Sequence, residues 1–330
     1  MIGIINSQKI KEIEETHIKY FEDNFLNKIP SIRSSHTRKW KKFFDFVEKN
    51  YRIIILGRPL TLKRIIKSVD KIFPKISTKK DHEAKEDILK IFNYSAFSTN
   101  CGAWNAYKYV EMLGIKTCPY CNLSYLTMIP KKGKNGGLRP DLDHFFPKSK
   151  HPYLALSLYN LIPSCSNCNS RLKRDKDDTE LLNPYEGGFG EFFQFRTNLD
   201  DVESIYEAAY KIKELRKENT DFKLKIREIK ELEDGAREAD FVEKVNNNID
   251  VFKLNQQYEF HKDYVHEILN KEMLYNKTRI KDLQENYPGL FDENEVRQSI
   301  FSTYFEDKDL HKRPLSKLTK DILNEFKIVK

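Results

Sequence analysis

The chain has 330 residues, 39% apolar and 33% charged, a balance that supports a buried core and excludes a disordered chain. Its 58 Lys and Arg against 50 Asp and Glu leave a formal charge of +8, which favours a polyanionic partner without identifying one. Residues 1–15 turn charged too soon for a secretion signal and no run approaches the roughly 18 apolar residues of a membrane span, so a cytoplasmic location without a membrane partner is expected.

From residue 10 to 113 apolar side chains recur at helical spacing, as in Trp40, Phe43, Phe44 and Val47, then Leu62, Ile65, Ile66, Val69 and Phe73. These aromatic positions form a core stripe rather than a platform for stacking bases. The last helix of the region runs through Trp104, Tyr107, Val110 and Leu113, and Gly114 stands where a left-handed residue would end it.

Between 115 and 178 the texture changes to short β-prone pieces such as Ser124 to Ile129, interrupted by a Lys/Gly loop at 131–137. After Asn183-Pro184 and the Gly187-Gly188 turn, Phe192 to Phe195 and Phe222 to Ile229 alternate apolar with polar residues and predict strands. Helical spacing returns from about residue 236, at Tyr258, Val265, Ile268, Leu269 and Leu274 and at Val296, Ile300, Phe301 and Tyr304. The expected class is α+β: a helical region over 1–114, a small central core over 115–178, and a C-terminal region over 179–330 with short strands and then helices.

Four of the five cysteines form two pairs, Cys118-Pro-Tyr-Cys121 and Cys165-Ser-Asn-Cys168. In a reducing compartment such pairs point to metal before disulfides, because two tight loops can present four thiolates tetrahedrally to a structural Zn²⁺. A closed four-cysteine site leaves no position for substrate, so catalysis would lie elsewhere. Cys101 has no sequence partner and reads as a buried apolar residue.

Between the pairs runs Asp141-Leu142-Asp143-His144-Phe145-Phe146-Pro147-Lys148-Ser149. Asp143 is a hard oxygen ligand suited to Mg²⁺ or Mn²⁺, and His144 can take a proton from water near neutral pH. Asn169, directly after the second cysteine pair, would begin a helix through Arg171, Leu172 and Lys173, and its side-chain oxygen could face Asp143 across a metal ion. His151, before Pro152, reads as a turn residue.

Together, Cys118-Pro-Tyr-Cys121, Asp143-His144, Tyr159-Asn160-Leu161-Ile162-Pro163 and Cys165-x-x-Cys168-Asn169 resemble the HNH (ββα-metal) endonucleases, in the subset braced by a four-cysteine zinc, over about residues 116–176. The resemblance implies a zinc-braced ββα-metal core that hydrolyses phosphodiester bonds in DNA, with RNA not excluded, leaving 5′-phosphate and 3′-hydroxyl ends. It gives His144 the activation of water, Asp143 and Asn169 the catalytic Mg²⁺ or Mn²⁺, and Asn160 the bracing of the loop behind the histidine. The third motif position is Asn169 rather than His, a variation known in the family that argues against a softer metal there.

Lys148, Arg171 and Lys173 are expected at the nucleic-acid backbone, with Lys131, Lys132, Lys134, Arg139, Lys150, Arg174 and Lys176 adding to the electrostatic footprint. More loosely, the motif style is similar to bacterial antiphage nucleases, including the Septu-type nuclease subunits that pair with an ATPase, which implies a defence role and an ATPase partner. Two other readings stay open: a zinc-stabilised nucleic-acid-binding module that does not cut, and a nuclease subunit active only with its ATPase.

Overall fold

The computed structural model describes residues 1–4, 9–74, 76–99, 102–131, 136–175, 180–199, 202, 204–217, 221–229 and 239–326. The chain is α+β and mainly helical, with two small two-stranded sheets among the described residues, as its patterning requires. No helix among those residues is long and apolar enough to cross a membrane. Proximity in space divides the chain into two compact units, Ile4–Ile115 with Leu126–Glu186, and Met1–Gly3 with Lys116–Tyr125 and Gly187–Lys330.

Among the described residues the first unit opens with the α-helices α1 (Ile10–Asn24), α2 (Ile29–Ser35), α3 (Arg38–Leu56), α4 (Pro59–Val69), α5 (Lys79–Ile91), α6 (Tyr94–Thr99) and α7 (Ala106–Leu113). The stripes read from the sequence face inward: Trp40, Phe43, Phe44 and Val47 of α3 and Leu62, Ile65, Ile66 and Val69 of α4 are all buried. Pro59 starts α4 at a position where its missing N–H would have no helical partner anyway. Thr78 and Asp81 cap α5 reciprocally, and the buried Asp81 also accepts from Trp40 Nε1 at 2.9 Å, so one cap ties α5 to α3. Asn105 caps the start of α7 and Gly114, at φ +70°, ends it.

The same unit then forms an antiparallel pair, β1 (Asp141–His144) with β2 (Leu161–Ser164), in which Asp143 faces Ile162 and His144 faces Leu161. A π-helical turn, Asn167–Lys173, follows, where a helix from Asn169 was expected; the Arg174 N–H reaches back five residues to the Asn169 carbonyl at 2.9 Å. Ser124 to Ile129 forms no strand. Its members make only isolated bridges, Tyr125 to Thr117 and Ile129 to Leu138, so no ladder can build.

In the second unit β3 (Phe193–Thr197) pairs antiparallel with β4 (Leu224–Glu228), close to the expected strand positions. Around this sheet stand α8 (Ile205–Lys217), α9 (Ala239–Val251), α10 (Leu254–Glu259), α11 (Lys262–Leu274), α12 (Lys277–Asn286), α13 (Glu293–Phe301) and α14 (Ser316–Glu325). A two-stranded sheet has two open edges, and here helix side chains satisfy them. Asp321 and Glu325 of α14 accept from the Phe195 and Thr197 N–H groups, and Glu259 and Asn255 of α10 accept from Leu224 and Ile226.

Candidate functional site

The Sγ atoms of Cys118, Cys121, Cys165 and Cys168 lie within 4.8 Å of one another, and none is in a disulfide. The four cysteines form a cluster that could hold a metal ion.

The loop carrying Cys118 and Cys121 is built around Asn122, which is buried and left-handed at φ +53°. Asn tolerates that conformation better than most residues, and here its side chain is fully employed. Its Nδ2 donates to Thr117 Oγ1 at 3.0 Å and to the carbonyls of Leu310 and Arg313, each at 3.2 Å, while its Oδ1 accepts from the Lys317 N–H. The Tyr258 hydroxyl donates to the Cys121 carbonyl at 2.7 Å.

A separate cavity of ≈ 360 Å³ lies within the first unit, bordered among others by Tyr94, Asp141, Asp143, His144, Lys148 and Asn169. Strand β1 supplies three of these. Residues two apart on a strand share a face, so Asp141 and Asp143 present their carboxylates on the same side. Asn169, on the π-helical turn, donates from Nδ2 to Asp141 Oδ2 at 3.2 Å. Two carboxylates and an amide oxygen are hard donors of the kind Mg²⁺ or Mn²⁺ takes, with Asp143 Oδ1 already paired to Lys173 Nζ at 3.0 Å.

His144 Nε2 lies 3.1 Å from the Ala155 carbonyl oxygen. A carbonyl can only accept, so Nε2 carries the proton and Nδ1 keeps its lone pair. The Tyr94 ring meets the imidazole edge to face at 4.5 Å between centroids. Burial, reinforced by the charges of Lys148 and Lys173 and opposed by the Ala155 hydrogen bond, pushes the imidazole pKa down to about 3. The ring is therefore neutral at ordinary pH.

Asn160, fully buried, braces the turn after β1: its Oδ1 accepts from the Phe146 N–H at 2.7 Å, and its Nδ2 donates to the carbonyls of Phe146 and Leu154. Of the expected phosphate contacts, Lys148 is exposed at the cavity, its Nζ 5.4 Å from the centre of the Tyr94 ring. Arg171 is exposed but does not border the cavity, where Arg174 and Arg139 do.

Lys173 corrects the expectation of a surface phosphate contact. It is 0% exposed, with Nζ 3.0 Å from Asp143 Oδ1 and 3.0 Å from the His144 carbonyl. Its stem is long enough to turn inward from the π-helical turn, and the ion pair with Asp143 is what makes burial of its charge tolerable. Lys150 is exposed, whereas Lys132, Lys134, Lys176 and Cys101 lie outside the described residues. His151 sits in a turn and contacts the Tyr153 hydroxyl at 3.1 Å.

Asp141 is the residue that sequence reasoning passed over. Its signal was the i, i+2 spacing to Asp143 on a strand. Compared with protein-family models, with characterised proteins and with solved structures, the chain gives no significant match in any of the three.

Proposed function

We propose that this chain is a metal-dependent endonuclease of the HNH (ββα-metal) type that hydrolyses phosphodiester bonds in DNA. The observation that carries the reading is His144, neutral and with its Nδ1 lone pair available, bordering the same cavity as Asp141, Asp143 and Asn169. A non-catalytic binding module has no need of a base beside three hard oxygen donors. The four-cysteine cluster is the structural Zn²⁺ site, and its closed thiolate set keeps it apart from the chemistry.

In this mechanism His144 Nδ1 takes a proton from a water molecule aligned with the scissile phosphorus, and the Nε2 hydrogen bond to Ala155 spreads the charge the ring acquires. Asp143, Asp141 and Asn169 would hold Mg²⁺ or Mn²⁺, and the ion would supply positive charge to the leaving oxygen. Asn160 keeps the turn behind His144 closed. Lys148, with Arg139 and Arg174, attracts the phosphate backbone, so affinity falls steeply with salt. The products carry 5′-phosphate and 3′-hydroxyl ends, and the reducing cytoplasm is the compartment that suits four free thiols.

A second reading, a nuclease subunit active only beside a protein partner such as an ATPase in antiphage defence, draws support from the second unit. There Leu274, Tyr287 and Leu290 are 65%, 54% and 60% exposed, with Leu283 and Phe291 also exposed, apolar side chains that a partner could cover. Incubating plasmid DNA with the purified chain and Mg²⁺ or Mn²⁺, alone and with a co-purifying ATPase, separates the readings. Unaided cutting supports the first, cutting only with the ATPase supports the second, and no cutting in either arm removes both.

A further inference from the structure

Three successive carbonyl oxygens in the loop behind the cavity are each taken by a side chain from a different place in the first unit. Asn160 Nδ2 donates to Leu154 at 3.0 Å, His144 Nε2 to Ala155 at 3.1 Å, and His17 Nε2 to Leu156 at 2.7 Å. His17 lies on α1, 139 residues away in sequence, and is 1% exposed. The Trp104 indole donates to its Nδ1 at 3.0 Å. An indole N–H can only donate, so Nδ1 of His17 holds the lone pair and Nε2 the proton. The Ser157 hydroxyl adds a further tie, donating to the Ile54 carbonyl on α3.

The peptide unit bearing the Ala155 carbonyl thus lies between two others whose oxygens are held. Each peptide is planar, so with both neighbouring carbonyls tied this one is left only the compensating rotation about ψ of Ala155 and φ of Leu156, a narrower freedom than an untied loop has. That carbonyl selects the Nε2–H tautomer of His144. We propose that His17, fixed in turn by Trp104, is a positioning residue that clamps the Ala155 carbonyl and so keeps the Nδ1 lone pair of His144 available as the base. The proposal rests on the nuclease reading of the cavity. A core position of this kind could be filled by Phe or Leu; a histidine hydrogen-bonded at both ring nitrogens is the costlier choice, and the clamp gives it a purpose.

The test uses the full chain with its zinc retained, as wild type, His17→Phe and Trp104→Phe. Nitrogen NMR of ¹⁵N-histidine-labelled protein reads the His144 tautomer, and plasmid cleavage reads kcat and KM. In wild type His144 is expected as Nε2–H alone. In His17→Phe it becomes a mixture of tautomers and kcat falls by about 10–100-fold with KM little changed. Trp104→Phe, which removes one hydrogen bond and leaves the ring in place, shifts both readouts in the same direction by less.

Should His17→Phe fail to fold, by zinc content and near-ultraviolet circular dichroism, Trp104→Phe decides. A folded variant that keeps a pure Nε2–H tautomer and an unchanged kcat overturns the clamp. If wild type cuts no DNA either alone or with the ATPase, the nuclease reading fails by that result, and the tautomer spectra alone then decide whether His17 holds the loop.

Discussion

Lys173 and Asp143 form an ion pair at 3.0 Å with side chains 0% and 3% exposed, so the carboxylate beside His144 is neutralised from within the protein. Breaking a buried pair leaves an uncompensated charge, at a cost of about 3–5 kcal/mol. Lys173→Met is therefore expected to lower stability by that order in urea denaturation. Millimolar Mg²⁺ should recover part of the loss, because a divalent ion near Asp143 replaces the missing charge. An equal loss with and without Mg²⁺ would place Asp143 out of the ion's reach.

Asp141 gives a second prediction. Because it shares a strand face with Asp143 and holds Asn169 at 3.2 Å, Asp141→Asn is expected to weaken Mn²⁺ binding by roughly 10–100-fold while the fold persists. Calorimetric titration of the metal measures this. Unchanged affinity would restrict the metal set to Asp143 and Asn169.

Asn122 governs the first cysteine loop. Asn122→Ala removes four hydrogen bonds and places a β-carbon residue with less tolerance at φ +53°. The combined cost is about 2–4 kcal/mol, with zinc released at lower chelator concentration than in wild type. Asn122→Gly removes the backbone strain but not the lost bonds, and should fall between the two.

His17 sets a pH dependence of stability. Burial lowers its pKa from 6.5 to about 4, against the opposing hydrogen bond to Leu156. Between those values the unfolded chain binds the proton and the folded one does not, so stability rises with pH across the window and is lost as pH falls from about 6.5 to 4. The full loss is roughly 3 kcal/mol from this group. Urea midpoints of wild type and His17→Phe across pH 4–7 should converge on the acid side, and a constant difference would show that His17 is not buried neutral.

Much of the fold was legible because it is local. The α3 and α4 stripes, the Gly114 stop and the strand signals at Phe192 to Phe195 and Phe222 to Ile229 are local features that the chain carries over a few residues. Ser124 to Ile129 misled because β-prone composition does not say which partners a segment meets, and Tyr125 and Ile129 meet different ones. At the cavity, Asp143, His144 and Asn169 could be named from their chemistry. The inward turn of Lys173 and the His17 contact could not, since both depend on packing between residues 30 and 139 positions apart.

The most direct test compares cleavage of supercoiled plasmid by wild type and His144→Ala in Mg²⁺ or Mn²⁺, with zinc measured in both proteins. Divalent-dependent nicking by wild type, lost in His144→Ala while both retain about one zinc per chain, is the expected result. Equal nicking by the two zinc-loaded proteins would contradict the role of His144 and with it the proposed chemistry of the cavity.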